Sequence, residues 1–122
     1  MLINEFYKIA NLSSSDSGII ATIKLNPNHE VYKGHFPNQP VVPGVIQLQI
    51  IKEILEEVLE TKLFMGNVIQ VKYLIPITPI DNPKLKFIMT NKKTDENKLK
   101  STISIGFNGG VFTKAKIEFI KN

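Results

Sequence analysis

The segment PGVIQLQIIKEILEEVLE, residues 43–60, decides the fold that this sequence predicts. A proline opens it, and apolar residues then recur at helical spacing, which predicts one long helix over about residues 44–60. Those residues are Leu48, Ile51, Leu55, Val58 and Leu59. Apart from Gln47 and Gln49, the first two turns are apolar on every side, which is typical of a helix start that is buried all round. Glutamates in the later turns predict a solvated face there: Glu53, Glu56, Glu57 and Glu60.

Segments with strand character flank the helix on both sides. We predict strands over residues 7–14 and 18–25 before the helix, and over residues 67–76, 84–92, 98–107 and 111–120 after it. Residues 94–97 and 108–110 have the composition of hairpin turns. One helix among strands predicts an α+β architecture in which a sheet wraps around the helix. The chain has no internal repeat or linker, so we expect a single domain over residues 1–122.

Charge and composition exclude several classes of protein. All 15 basic residues are lysine, the net charge is +4, and cysteine is absent. Without cysteine there are no disulfides, thiolate metal sites or cysteine nucleophiles. Without arginine a nucleic-acid partner is not expected; the lysines indicate either a docking surface for an acidic partner or a generally lysine-rich proteome. The sequence has no apolar run of membrane-spanning length and no signal-peptide pattern, so we expect a cytoplasmic protein without a membrane span.

A loop with four prolines, residues 26–43, leads into the helix and contains too many prolines to form regular structure. It carries the only two histidines, His29 and His35. His35 stands close before the helix start, where backbone N–H groups near Gly44 and Val45 collect partial positive charge. A base beside such a helix end has the equipment to remove a proton next to a thioester carbonyl. The alternative for a lone loop histidine is a structural role, which the polar neighbours of His29 favour for that residue.

The loop also resembles the signature of a known family. Residues 34–46, GHFPNQPVVPGVI, are similar to the GHFPxxPxxPGV motif of the 3-hydroxyacyl-[acyl-carrier-protein] dehydratases of fatty acid synthesis. Weaker similarity covers about residues 20–120, including residues 71–81 and 113–117. Residues 45–48 further resemble a variant subgroup from polyene-pigment and lipid-modification clusters. The resemblance implies the hotdog fold, an antiparallel sheet around one long helix, and a dimer with active sites across the subunit interface.

The resemblance also implies roles for particular residues. His35 takes the C2 proton of a 3-hydroxyacyl thioester, and the backbone carbonyl of Val41 orients its ring. The backbone amides of Gly44 and Val45 hold the thioester oxygen, and Phe36 flanks the histidine in the substrate-binding region. The product of water elimination is a trans-2-enoyl thioester.

Gln49 departs from the family pattern. It stands fourteen residues after His35, where the family has a carboxylate on the partner subunit's helix that assists departure of the hydroxyl. An amide positions a hydroxyl or a water but supplies no proton. Three possibilities stay open: a slow dehydratase, a catalytically impaired acyl-thioester-binding subunit that completes another dehydratase, and a hotdog thioesterase. Glu53, one turn further on, and Glu30 are substitute carboxylates, although we expect Glu53 on the solvated face.

The expected partner is an acyl carrier protein that presents the thioester substrate. We expect a homodimer, with a higher oligomer or a heterodimer with another hotdog subunit as alternatives. The sequence has no phosphate-binding glycine loop and no metal-ligand spacing, so we expect no cofactor and no metal. A basic hairpin is either a docking site for the acidic carrier protein or an ordinary solvated turn. We define the basic hairpin as Lys92, Lys93, Lys98 and Lys100.

Overall fold

The computed structural model describes residues 1–34 and 38–121. In chain order its elements are β1 (Tyr7–Ser15), β2 (Gly18–Leu25), α1 (Val31–Gly34), α2 (Gly44–Leu59), β3 (Leu63–Tyr73), β4 (Lys84–Asp95), β5 (Lys98–Phe107) and β6 (Gly110–Lys121). The strands form one antiparallel six-stranded sheet in the order β1-β2-β4-β5-β6-β3.

The core lies between α2 and one face of the sheet. Side chains of β2, β4, β5 and β6 alternate between buried and more exposed positions, as expected for a sheet with one covered face. Helix α2 contributes four fully buried apolar side chains: Ile50, Ile51, Ile54 and Leu55. The sheet contributes fully buried partners that include Ile23, Phe87, Ile105, Ile117 and Phe119. The predicted α+β hotdog architecture, a sheet around one long helix, is therefore confirmed.

Tight turns join the last three strands. Between β5 and β6, Asn108 (φ 51°) and Gly109 (φ 83°) both have positive φ, the signature of a two-residue hairpin turn that follows the twist of the sheet. Between β4 and β5 only residues 96 and 97 lie outside the strands. Both predicted hairpins are confirmed; β5 has its predicted bounds, and β4 and β6 are slightly longer than predicted.

Four local expectations differ from the structure. Residues 31–34, within the loop predicted to lack regular structure, form α1, because this turn contains no proline and Tyr32 anchors it in the core. Strand β3 begins at Leu63, earlier than the predicted residue 67, and ends at Tyr73. The start of α2 is not buried all round, since Val45 is 75% exposed. Helix α2 itself ends one residue before its predicted limit, and Glu60 adopts a left-handed conformation there.

Strands β1 and β3 form the two edges of the sheet. The register of β1 shifts between Ile9 and Asn11, and β3 has two such irregularities, between residues 65 and 67 and between residues 68 and 70. Strand β3 and the residues after it carry exposed apolar side chains. We call these the apolar patch: Phe64, Val68, Ile69, Tyr73, Leu74 and Ile75. Among the described residues, no helix has the length and apolar character needed to cross a membrane.

Candidate active site

The N-terminal end of α2 leaves two backbone amides available. Pro43 precedes the helix in an extended conformation (φ −59°, ψ 147°), and no side chain of the described residues caps it. The Pro43 carbonyl accepts the N–H groups of Ile46 and Gln47, each at 3.1 Å. The N–H groups of Gly44 and Val45 have no hydrogen-bond partner within residues 1–34 and 38–121. Partial positive charge at this end makes the two amides suitable donors to a developing oxyanion.

Tyr73, the last residue of β3, lies directly against Gly44. A Cβ atom added to Gly44 would stand 2.5 Å from the Tyr73 hydroxyl oxygen and 2.6 Å from its Cζ atom. Glycine therefore permits the close approach of the ring, and any larger residue here would displace it. Burial raises the pKa of the Tyr73 phenol, so its hydroxyl keeps its proton and can donate a hydrogen bond beside the helix end. Tyr73 was predicted to lie in a strand, but the sequence carries no local signal for this long-range contact.

Gln47 connects the loop before the helix to the sheet. It is buried; its Nε2 donates to the Val42 carbonyl at 3.3 Å, and its Oε1 accepts the Thr113 hydroxyl at 2.6 Å. Both ends of the amide are satisfied, as a buried polar side chain requires. In the sequence, Gln47 is an interruption of an apolar run, and that interruption is the only local signal of its role. Its role is to fix the turn that presents the free amides.

The loop before α2 lies beside the segment that follows β3. The Val42 N–H donates to the Ile77 carbonyl at 2.8 Å, and both side chains are buried. Val41 is half-buried, and its carbonyl has no hydrogen-bond partner in the described part of the chain. Residues 38–41, together with Pro76, Thr78, Ile80 and Asp81, line an open groove. The predicted histidine-orienting carbonyl is thus free and borders a groove.

Glu53 lies in the core, so the prediction of a solvated position is wrong. Its side chain is 0% exposed because the first residues of the chain fold back over this part of α2. Its oxygens accept the Leu2 N–H (3.1 and 2.9 Å), the Ile3 N–H (2.9 Å), the Tyr7 hydroxyl (3.2 Å) and the Gln49 Nε2 group (2.8 Å). Hydrogen bonds of this kind are what make a buried carboxylate tolerable. Burial, reinforced by Glu53, raises the pKa of the Tyr7 phenol well above its usual range.

The other glutamates of α2 lie nearer the surface. Glu57 and Glu60 are exposed, as predicted, whereas Glu56 is half-buried and accepts the Leu63 N–H at 2.9 Å. Gln49 is also half-buried. It lies one turn before Glu53 on the same side of the helix, so the position that the family fills with a carboxylate holds an amide backed by a buried carboxylate.

His29 has a structural role. Its Nδ1 accepts the Val31 N–H at 3.1 Å, and its ring packs edge-on against Phe6 with centroids 5.1 Å apart. These contacts hold the start of α1 against the core, which supports the structural interpretation of this histidine. Glu30 is exposed.

The predicted base His35 and its neighbour Phe36 lie outside the described residues. Tyr32, three residues before His35, is buried, and its hydroxyl has no hydrogen-bond partner in the regions on either side of residues 35–37. Burial raises the pKa of the Tyr32 phenol well above its usual range. The ring packs on Phe6 with centroids 5.4 Å apart and anchors the loop at its described end.

Comparison with protein families gives a match that spans most of the chain. The model of the ApeI-like family, described as ApeI dehydratase, matches residues 11–108. Among characterised relatives, the 3-hydroxyacyl-[acyl-carrier-protein] dehydratase FabZ of Lactococcus lactis is 32% identical over 83 residues, covering 62% of this chain and 55% of that enzyme. FabZ of Helicobacter hepaticus is 33% identical over 81 residues, covering 64% of this chain and 48% of that enzyme. The match thus spans about half the length of these two relatives.

Solved structures show the same fold. A chain of the dehydratase heterocomplex ApeI:P from Xenorhabdus doucetiae superposes with a TM-score of 0.71 at 18% identity, over 92% of this chain and 96% of that one. A thioesterase from Haemophilus influenzae superposes with a TM-score of 0.63 at 13% identity, over 95% of this chain and 78% of that one. At these identities the likeness shows the fold alone, which dehydratases and thioesterases share.

Proposed function

The chain belongs to the ApeI-like dehydratase family, and from that premise we propose that it eliminates water from a 3-hydroxyacyl thioester of acyl carrier protein to give a trans-2-enoyl thioester. The observation that carries this proposal is the family match over residues 11–108, which includes the whole GHFPNQPVVPGVI motif and the start of α2. The N–H groups of Gly44 and Val45 at that helix start, which no described residue accepts, support it.

The reaction needs a base and a stabiliser for the enolate oxygen. His35 removes the C2 proton, and the Gly44 and Val45 N–H groups donate hydrogen bonds to the thioester oxygen as negative charge develops on it. The C2=C3 double bond forms as the C3–O bond breaks. The proton taken from C2 returns from His35 to the departing hydroxyl, so the atoms balance as one water. Gln49 of the partner subunit positions that hydroxyl without supplying a proton.

A partner chain that brings a carboxylate is a second candidate source of the leaving-group proton. The amide at position 49 favours this alternative, since a dehydratase with a general acid there gains about 10²–10⁴-fold in rate. The structural neighbour from Xenorhabdus doucetiae is itself part of a dehydratase heterocomplex. We therefore include a heterodimer with another hotdog chain beside the homodimer.

Assembly through β3 would cover the apolar patch. Strand β3 is an edge strand with unpaired backbone groups, and its apolar side chains are unusually exposed, for example Phe64 at 58%. Val45, at the amide end of α2, is 75% exposed, although it belongs to the apolar start of the helix. Exposed apolar surface at a free sheet edge is typical of an interface. Such an interface would also enclose the helix start.

Turnover of 3-hydroxyacyl-carrier-protein, followed by the appearance of the enoyl thioester, tests the proposal. We expect activity in the wild type and a loss of roughly 10²–10⁴-fold in His35→Ala. Gln49→Glu should be faster than wild type. A carboxyl group at position 49 can donate a proton to the departing hydroxyl, which the amide cannot.

Two other outcomes separate the alternatives. Activity that appears only after a second hotdog chain is added supports the heterodimer. Release of free acid from acyl thioesters, without enoyl product, supports a thioesterase and overturns the dehydratase. Equal inactivity of wild type and His35→Ala, alone and with a second hotdog chain, would refute the catalytic role altogether.

A further inference from the structure

Glu53 is a buried ionisable group that the proposed reaction leaves without a role. It lies one helical turn after Gln49, and its two oxygens act as the acceptors in all of its hydrogen bonds. Three of these donors, the Leu2 and Ile3 N–H groups and the Tyr7 hydroxyl, would be enough to satisfy the oxygens. The fourth is the side-chain amide of Gln49, at 2.8 Å. The carboxylate therefore couples the core of the molecule to position 49, to which the proposed reaction gives a role.

The chemistry of the pair fixes which way the Gln49 amide faces. Carboxylate oxygens only accept hydrogen bonds, so the NH₂ end of the amide must point toward Glu53 and the carbonyl oxygen away from it. A hydrogen bond to an ionised acceptor is roughly twice as strong as one between neutral groups, which holds the amide in that orientation. The Gln49 Oε1 atom accepts no hydrogen bond from residues 1–34 or 38–121. It is available as an acceptor on a half-buried side chain.

We propose that Glu53 is a positioning residue that makes position 49 a hydrogen-bond acceptor, and that this selects substrates with a C3 hydroxyl over those with a C3 ketone. A hydroxyl donates a hydrogen bond to the Gln49 oxygen, whereas a ketone has only acceptor oxygens and would face it without a partner. This inference rests on the proposed function, because it takes Gln49 to face C3 of the acyl chain.

Glu53→Gln gives a sharp prediction because the pocket around Glu53 is asymmetric. Oε1 accepts from Leu2, Ile3 and Tyr7, whereas Oε2 faces Gln49 and shares the Leu2 N–H. In the variant, the amide oxygen of the new glutamine is expected to keep the hydrogen bonds from Leu2, Ile3 and Tyr7. The NH₂ group of the new glutamine then points toward Gln49. The Gln49 amide must then turn over and present its NH₂ group to the acyl chain. The acceptor at this position becomes a donor.

The experiment compares binding of a 3-hydroxyacyl thioester and its 3-ketoacyl counterpart in the wild type, Glu53→Gln and the control Tyr7→Phe. We expect the wild type to prefer the hydroxyl compound at least tenfold, and the preference to fall at least tenfold in Glu53→Gln. Tyr7→Phe removes a different donor from the same carboxylate and leaves the Gln49 contact intact, so it should keep the preference even if it lowers the melting temperature. A folded Glu53→Gln with wild-type preference overturns the proposal.

A measurement on the wild type covers the case in which Glu53→Gln fails to fold. The side-chain NH₂ signals of Gln49, assigned by their absence in Gln49→Met, should show the order and slowed proton exchange of a fixed amide. Signals averaged like those of a free glutamine overturn the proposal. Because this test uses no substrate, it separates failure of the positioning role from failure of the proposed function. The latter would appear as an ordered Gln49 amide in a protein that binds neither thioester.

Discussion

Gly44→Ala probes the contact between the helix start and Tyr73. The new methyl group would lie 2.5 Å from the Tyr73 hydroxyl oxygen, so the ring must move. Tyr73 is 52% exposed, and its ring can swing outward, which converts the steric clash into a loss of buried surface. We therefore expect the protein to fold but to be less stable.

The size of the loss follows from the buried half of the ring. A tyrosine buries roughly 200 Å² when enclosed, so about 100 Å² would become exposed when the ring moves. At about 25 cal/mol per Å², this loss of burial corresponds to about 2.5 kcal/mol. Alanine returns at most about 1 kcal/mol through its better helix propensity. The free energy of unfolding should thus fall by about 1.5–2.5 kcal/mol in Gly44→Ala.

Urea denaturation of a double-mutant cycle isolates this contact. In a Tyr73→Ala background, Gly44→Ala should be neutral or slightly stabilising, so the two changes couple by about 2 kcal/mol. Gly110→Ala is the matched control, because a Cβ there would approach no closer than 3.5 Å to the Phe107 carbonyl oxygen. An equal loss for Gly44→Ala with and without the Tyr73 ring would refute the steric reasoning.

Three further predictions concern other parts of the molecule. Gln47→Leu should lower the free energy of unfolding by about 1–3 kcal/mol in urea denaturation, because it leaves the buried Thr113 hydroxyl unpaired. Because the pKa of the Tyr7 phenol is raised, its contribution to the free energy of unfolding should be fully present below about pH 10 and fall above it. Above that pH the unfolded chain releases a proton that the folded protein keeps. Tyr7→Phe should remove up to about 1.4 kcal/mol per pH unit of that alkaline slope. Lys92→Glu should stabilise the basic hairpin by about 0.2–1 kcal/mol, because Lys92 faces Lys100 across the strands. If the carrier protein binds to this hairpin, the same variant should also have a higher KM for a carrier-protein substrate.

Matched variants identify the result that would contradict each of these. Gln39→Leu changes an exposed glutamine, and a loss as large as that of Gln47→Leu would show that the buried hydrogen bonds are not responsible. An alkaline slope unchanged in Tyr7→Phe would contradict the burial argument. Lys93→Glu introduces the same charge opposite Leu99, so an equal gain in stability there would exclude cross-strand pairing as the cause.

The sequence predicts the architecture well because local patterns determine it. The spacing of apolar residues in α2 and the Asn108–Gly109 turn each depend on near neighbours, and both appear as predicted. The boundaries of β3 were less accurate, because its apolar residues on both faces obscure the alternation that marks a strand. Loop residues 31–34 form α1 because Tyr32 finds a place in the core, which depends on tertiary contacts.

The site was predictable only in part, for a related reason. The amide end of α2 follows from the helix boundary and is present as expected. Glu53 was assigned to solvent because its neighbours along the helix are glutamates, but the chain's first residues, about fifty positions away, cover it. The contact of Tyr73 with Gly44 likewise joins distant segments. A single sequence carries no local signal for either.

The two edges of the sheet have opposite characters, and this limits how far association can proceed. Edge β1 is interrupted near Ile9 and ends in three exposed serines, features that discourage another strand from adding to it. Edge β3 carries exposed apolar side chains, which favour the addition of another strand. If two copies paired through β3, that edge would be covered in both chains, and only β1 would remain as a free edge at each end. Such pairing is self-limiting: it yields a closed unit and gives no template for a growing fibre, even in a concentrated solution.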